Sequence, residues 1–158
     1  MLNHKSNNRF YKTTGIILKH SPIGESDRLL TVFTSDMGKL KLVARGVRKT
    51  NSKIGGHLDL LSHCHLEISR GRNIDVITSA SNINSFKTLR ENLIKIGNAF
   101  FCLELVDSLT PDNEPENKIF LSLIETLKKM ITNENPLIIW YFSFKLLHLT
   151  GYLPELYN

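Results

Sequence analysis

With 158 residues, 41% hydrophobic and 22% charged, the chain is long enough for one domain or two small ones and too apolar to be disordered. Its net charge of +5 hides an asymmetry: residues 1–80 carry 13 Lys or Arg against 6 Asp or Glu, residues 81–158 carry 7 against 9, so +7 meets −2. Such a sign change points to two modules with different partners, the first suited to a polyanion.

Cys64 and Cys102 fall in different halves, which argues against a disulfide framework and for a reducing compartment. The stretch Met1 to Lys12 is polar, without the apolar centre of a secretory leader, and no apolar run approaches the ~20 residues of a membrane span. The expectation is a soluble cytoplasmic protein with no membrane partner.

Residues 1–12 read as a flexible leader. Thr13–His20 is β-branched and stops at Ser21-Pro22, with Gly24 beyond; Asp27–Thr34 is a second strand, running into the turn Ser35-Asp36-Met37-Gly38. In Lys39–Arg45 a period of two puts Leu40, Leu42 and Ala44 on one face and Lys39, Lys41, Val43 and Arg45 on the other, a strand with a mostly cationic outer row. Gly46–Gly56 is a loop by composition. Ser62–Arg70 and Ile74–Ser81, joined at Gly71-Arg72-Asn73, complete five strands. Five short strands with one long loop fit a small barrel of the OB type, with an SH3-like barrel as the alternative.

After Ser85 the period changes to three and four. Thr88–Leu109 carries Leu89, Leu93, Ile96, Phe100, Leu103 and Val106; a second helix runs from about Glu116 to Thr132 with Ile119, Leu123, Leu127 and Met130; a third begins at Asn135-Pro136 and closes at Gly151 and Pro154. In this last helix Trp140, Phe144 and Leu147 read as bundle core. The fold class is therefore α+β: an N-terminal five-stranded OB-fold barrel over residues 13–83, then a small helical bundle over residues 86–158.

Lys39, Lys41, Arg45, Arg48, Lys49 and Lys53 lie between Asp36 and Asp59 with no intervening acid. A strand face of cations feeding a mobile basic loop is suited to a phosphate backbone, because Lys and Arg neutralise phosphates and release counterions. Arg28, Arg70 and Arg72, on adjacent strand ends, are further candidates. The competing reading is an edge strand that uses Lys to block aggregation. Aromatic residues are sparse nearby: Phe33 reads as core and Phe10 and Tyr11 precede the strands, so contacts to phosphates rather than bases are expected.

His63 and His65 share a strand face while Cys64 points away, too few converging ligands for a structural zinc site, so they read as solvated strand histidines. No metal and no cofactor is expected. Walker A, GxGxxG, HExxH and GxSxG motifs are missing from the sequence, Glu25 and Asp27 flank a turn beside Arg28, and Cys102 sits at helical spacing among apolar residues. Catalysis is not expected.

The order and spacing of several short motifs resemble the RecO family of bacterial recombination mediators. They are Gly24-Glu25-Ser26-Asp27-Arg28, Phe33-Thr34, Gly38-Lys39, Ala44-Arg45-Gly46-Val47-Arg48, Gly55-Gly56-His57-Leu58, and in the helical half Phe144-Lys145-Leu146-Leu147 and Gly151-Tyr152-Leu153-Pro154. The resemblance implies an OB-fold, binding of single- and double-stranded DNA, strand annealing, and help in loading the RecA recombinase with RecR onto DNA coated by single-strand-binding protein, whose tail the family contacts. Family members continue into a C-terminal domain, often with a cysteine-ligated zinc site, and this chain ends at Asn158 where that domain would begin. Two other readings stand beside it: an adaptor whose helical half does the main work and whose basic loop captures an acidic peptide tail, and an RNA-binding OB protein.

Overall fold

The computed structural model describes residues 8–153. The leader expected over residues 1–12 lies outside that range for residues 1–7, and its last three residues are already strand. Pro154, expected to close the last helix, also lies outside the described residues.

Strands β1 (Phe10–Ile23), β2 (Asp27–Thr34), β3 (Gly38–Ala44), β4 (His63–Ser69) and β5 (Asp75–Asn84) close a barrel in the order β1-β2-β3-β5-β4. All neighbours are antiparallel except β3 and β5, which pair in parallel through Leu42↔Asp75 and Val43↔Val76. This is the OB arrangement. Strand β2 has the bounds its residues predict, and β3 and β4 differ from expectation by one residue at each end. Strand β1 is longer at both ends, because Phe10 to Lys12 pair with β4 and Ser21 to Ile23 pair with β2.

Strand β1 serves two partners, and Gly15 marks the crossing, paired with both Thr34 and Cys64. A Cβ there would stand 2.6 Å from Val32 Cγ1, so a side chain would force the strands apart. A register shift follows between Ile17 and Lys19, and Ile16, Ile17 and Leu18 are all buried. Ile17 joins Leu30, Val32, Leu42, Leu66 and Ile68 inside the barrel. Ile16, Leu18 and Phe33 instead point outward into a second core with the helices. Burial on both sides explains the unbroken apolar run Gly15–Leu18.

The helices are α1 (Lys87–Arg90), α2 (Leu93–Leu109), α3 (Asn117–Thr132) and α4 (Leu137–Leu149). The single helix expected over residues 88–109 is broken, because Asn92 caps α2 by accepting from the Ile94 and Lys95 amides at 3.1 and 3.0 Å. The α3 stripe Ile119, Leu123, Leu127 and Met130 is buried, as its spacing predicts. In α2, Leu93 and Phe100 are exposed rather than core, and in α4 Trp140 and Phe144 are exposed while Phe142 and Leu146 fill the core. Helix α4 is apolar at nearly every position, so periodicity could not choose its inner face. Among the described residues no helix is long and apolar enough to cross a membrane.

Candidate nucleic-acid interface

The helical half packs on one end of the outer wall formed by β1, β2 and β3. Outward positions on this wall align in rows set by strand register. Ile16, Phe33 and Lys39 form the row beneath the helices, where Phe33 meets Phe120 at 6.1 Å between ring centroids. The next row is Lys19, Thr31 and Lys41, and beyond it lies Ser21, Leu29 and Val43. The wall thus has a covered end and an open end.

Lys39 belongs to the covered end, contrary to its expected role as a phosphate ligand. Its side chain is 8% exposed, and its ammonium donates to the backbone carbonyls of Asp107 and Thr110 at 2.6 and 2.8 Å. The Asp107 and Asp112 carboxylates stand 3.4 and 3.5 Å away. The α2 C-terminus offers orphan carbonyls and the negative end of a helix dipole, and Lys39 satisfies both. Burial alone would raise the Asp107 carboxyl, but Lys19, at 3.0 Å, and Lys39 outweigh it and hold it below the usual range. A loop between α2 and α3 clamps this contact: the Asn113 amide donates to the Lys39 carbonyl at 2.9 Å.

Lys41 and Arg45 lie on the open end and are exposed. Lys41 is steadied by a 2.9 Å hydrogen bond to Thr31 Oγ1, which holds its ammonium on the wall without neutralising it. Arg48, Lys49 and Lys53 are exposed on the following segment. That segment is a chain of turns, not the loose loop its composition suggests. The Gly46 amide donates to Asp27 Oδ1 at 2.8 Å, the Lys49 amide to the Gly46 carbonyl at 3.1 Å, and the Gly55 amide to Ser52 Oγ at 3.0 Å. Arg48 reaches back to the β1–β2 turn, its guanidinium donating to the Gly24 carbonyl at 3.1 Å. Gly46 takes φ +66°, which suits glycine.

The other candidates differ in availability. Arg28 is one-quarter exposed and pairs with Asp59 at 3.8 Å, so it is partly committed. Arg70 and Arg72 are exposed at the β4–β5 turn. The parallel pairing Leu42↔Asp75 brings that turn alongside Lys41. Sequence reading gave no strand role to Phe10, which sits on β1 opposite Ser69 and is exposed. The available signal is the β-favouring pair Phe10-Tyr11 leading into Thr13-Thr14, masked by the polar residues before it.

His63 corrects its expected solvation. It is buried against Phe120, with ring centroids 5.6 Å apart, and neither ring nitrogen has a hydrogen-bond partner among the described residues. His65 is exposed, and Cys64 points into the barrel, away from the two histidines as the alternation predicts. Among the described residues no three His, Cys, Asp or Glu side chains gather as metal ligands. Burial pushes the thiols of Cys64 and Cys102 up to about 12, which leaves neither a nucleophile near neutral pH.

Two family models match the chain in tandem: recombination protein O N terminal over residues 9–86 and recombination protein O C terminal over residues 90–158. The division between them falls at the barrel–helix junction. Curated relatives named DNA repair protein RecO align along most of the chain. One from Roseiflexus sp. (strain RS-1) is 36% identical over 151 residues, spanning 95% of this chain and 53% of the relative. One from Dehalococcoides mccartyi is 37% identical over 147 residues, spanning 92% and 58%. A third, from Trichodesmium erythraeum (strain IMS101), is 41% identical over 122 residues, spanning 77% and 42%. The chain spans about half the length of these relatives. With an OB barrel, a helical half and both family models matched in order, the chain belongs to the RecO family of DNA repair and recombination proteins.

Proposed function

We propose that this chain is a DNA-binding, non-catalytic mediator of recombinational repair, acting in the cytoplasm. It binds single- and double-stranded DNA without sequence preference, promotes annealing, and assists RecA loading with RecR on DNA coated by single-strand-binding protein. The observation that carries this reading is the open end of the β1-β2-β3 wall, where Lys41 and Arg45 lead into Arg48, Lys49 and Lys53, all exposed. Arg70 and Arg72 extend the cationic track on the far side of β3, and Arg28 contributes less because of Asp59. Lys39 has no phosphate role and instead fixes the wall to the helices. Neutralising two strands on one such track lowers their mutual repulsion, which is what annealing requires.

The test is a salt titration of duplex binding by the full chain and by Lys41→Glu/Arg45→Glu. Each lost phosphate contact should reduce the slope of log K against log salt by ~0.9. The double variant should bind all sequences more weakly, with a slope shallower by about 2. An unchanged slope would overturn the assignment. Replacing DNA by RNA of the same sequence tests the RNA-binding alternative, for which equal or tighter binding to RNA is the expected mark.

A second reading, capture of an acidic peptide tail, is favoured by a groove between α3 and α4. Leu137, Ile138 and Tyr141 supply its apolar lining, Lys145 stands at its edge, and Lys129 is paired there with Glu125 at 3.1 Å. An apolar floor with Lys145 at its rim suits an acidic segment that carries apolar side chains. Anisotropy with a labelled acidic peptide separates the two readings, since Lys145→Glu should weaken peptide binding and leave duplex binding unchanged.

A further inference from the structure

At one end of the barrel the start of β1 and the β4–β5 turn meet, and both bring cations. Phe10 opens β1 and is 56% exposed, although it is a large aromatic on a paired strand. Arg9 lies 5.7 Å from its ring centroid. The next residue, Tyr11, carries the Arg70 guanidinium over its own ring at 4.7 Å and donates its hydroxyl to Asp75 at 2.6 Å. The Arg70 amide in turn donates to the Arg9 carbonyl at 2.8 Å, so the β4–β5 turn is tied to the start of β1. Asp75 pairs with Leu42, the neighbour of Lys41. A continuous set of contacts therefore runs from the cationic wall to the exposed ring.

A single exposed aromatic needs no explanation on its own. Here the ring stands beside Arg9, and the next strand position, Tyr11, carries Arg70 over its own ring at the start of the β4–β5 turn, which also bears Arg72 and borders the ligand-binding face of OB barrels. Base–aromatic stacking flanked by cations is how such barrels hold single strands, and a paired base has no free face to offer. We infer that Phe10 is a stacking platform for an unpaired base, with Arg70 and Arg72 holding the adjoining phosphates. The inference rests on the nucleic-acid reading above and adds to it a contact specific for single strands, where phosphate contacts alone discriminate poorly.

The experiment compares the full chain with Phe10→Ala, Phe10→Leu and Phe10→Trp, measuring affinity for labelled oligo(dT) and for a duplex of equal length at one salt concentration. Loss of the ring should weaken oligo(dT) binding about tenfold and leave duplex binding within twofold, and Trp should restore it. Leu preserves apolar bulk, so an equal loss in Leu and Ala assigns the effect to stacking rather than packing. Photocrosslinking of 5-iododeoxyuridine oligonucleotide to the peptide containing Phe10 provides a readout on the unaltered chain. Unchanged oligo(dT) affinity in Phe10→Ala and Phe10→Leu, or crosslinks confined to other peptides, would overturn the platform. If the wild-type chain binds neither oligonucleotide, the nucleic-acid reading fails with it; if Lys41→Glu/Arg45→Glu weakens both and Phe10→Leu neither, the platform alone fails.

Discussion

The Lys39 ammonium lies 2.6 Å from the backbone carbonyl of Asp107 and 3.4 Å from its carboxylate, joining the most basic strand of the barrel to the end of α2. Both side chains are largely buried, at 8% and 14% exposure. Removing one partner from such a site leaves the other charge desolvated without compensation.

Lys39→Ala should therefore cost about 3 kcal/mol of stability, read as a lower urea midpoint. Duplex affinity per folded molecule should stay within twofold of wild type. Lys41→Ala, two residues along the same face, should do the opposite, keeping the urea midpoint and weakening duplex binding. A Lys39 variant that folds normally and loses DNA would show that the covered end of the wall opens.

Lys39 also shows where the sequence stops being informative. Alternation in Lys39–Arg45 places Lys39, Lys41 and Val43 on the outer face of β3, where they stand, while Arg45 falls in the turn that follows the strand. It cannot say that a second domain covers one end of the face, because the covering residues, Asp107 and Asp112, lie about 70 positions away. The same gap misplaced His63, whose alternation gave the correct side of β4 but not the presence of Phe120 upon it. The α3 stripe was legible because that helix has one polar and one apolar direction, and β2 because its apolar run is bounded by turn residues at both ends. Lys41, Arg45 and the turn segment keep their expected exposure because, among the described residues, no element folds over them.

Helix α4 offers a sharper contrast, since sequence alone ranks its aromatics alike. Phe142 is 1% exposed and Phe144 is 55% exposed. Phe142→Ala should cost about 3–5 kcal/mol through lost burial and a cavity. Phe144→Ala should change stability by no more than about 0.5 kcal/mol. Chemical denaturation of the two variants in parallel checks both, and equal losses would mean that the α4 outer face is covered in solution.

Gly38 links the β2–β3 turn to the helical half. It adopts φ +73°, and an added Cβ would collide with the backbone of Glu114 in the α2–α3 loop. Gly38→Ala combines left-handed strain with displacement of the loop that holds Asn113 against Lys39. A loss of about 2–3 kcal/mol is expected. Hydrogen exchange should localise it, with the Asn113 amide losing protection before the amides of the barrel interior.

His63 makes stability depend on pH. Burial, then the positive charge of Lys128, then His65, lower its pKa from 6.5 to about 4. Because the folded value lies below the unfolded one, the group contributes no penalty above pH 6.5, where it is neutral in both states. As pH falls below 6.5 the unfolded chain takes up a proton that the folded chain refuses, so stability declines until about pH 4. Between pH 7.5 and pH 5 the loss from this group is on the order of 1–2 kcal/mol. His63→Leu keeps an apolar contact with Phe120 and removes two ring nitrogens that lack partners among the described residues. The variant should be at least as stable as wild type at pH 7.5, and its advantage should widen by that amount at pH 5. Urea unfolding of both proteins at the two pH values measures the gap, and a constant difference would show that His63 gains access to solvent when protonated.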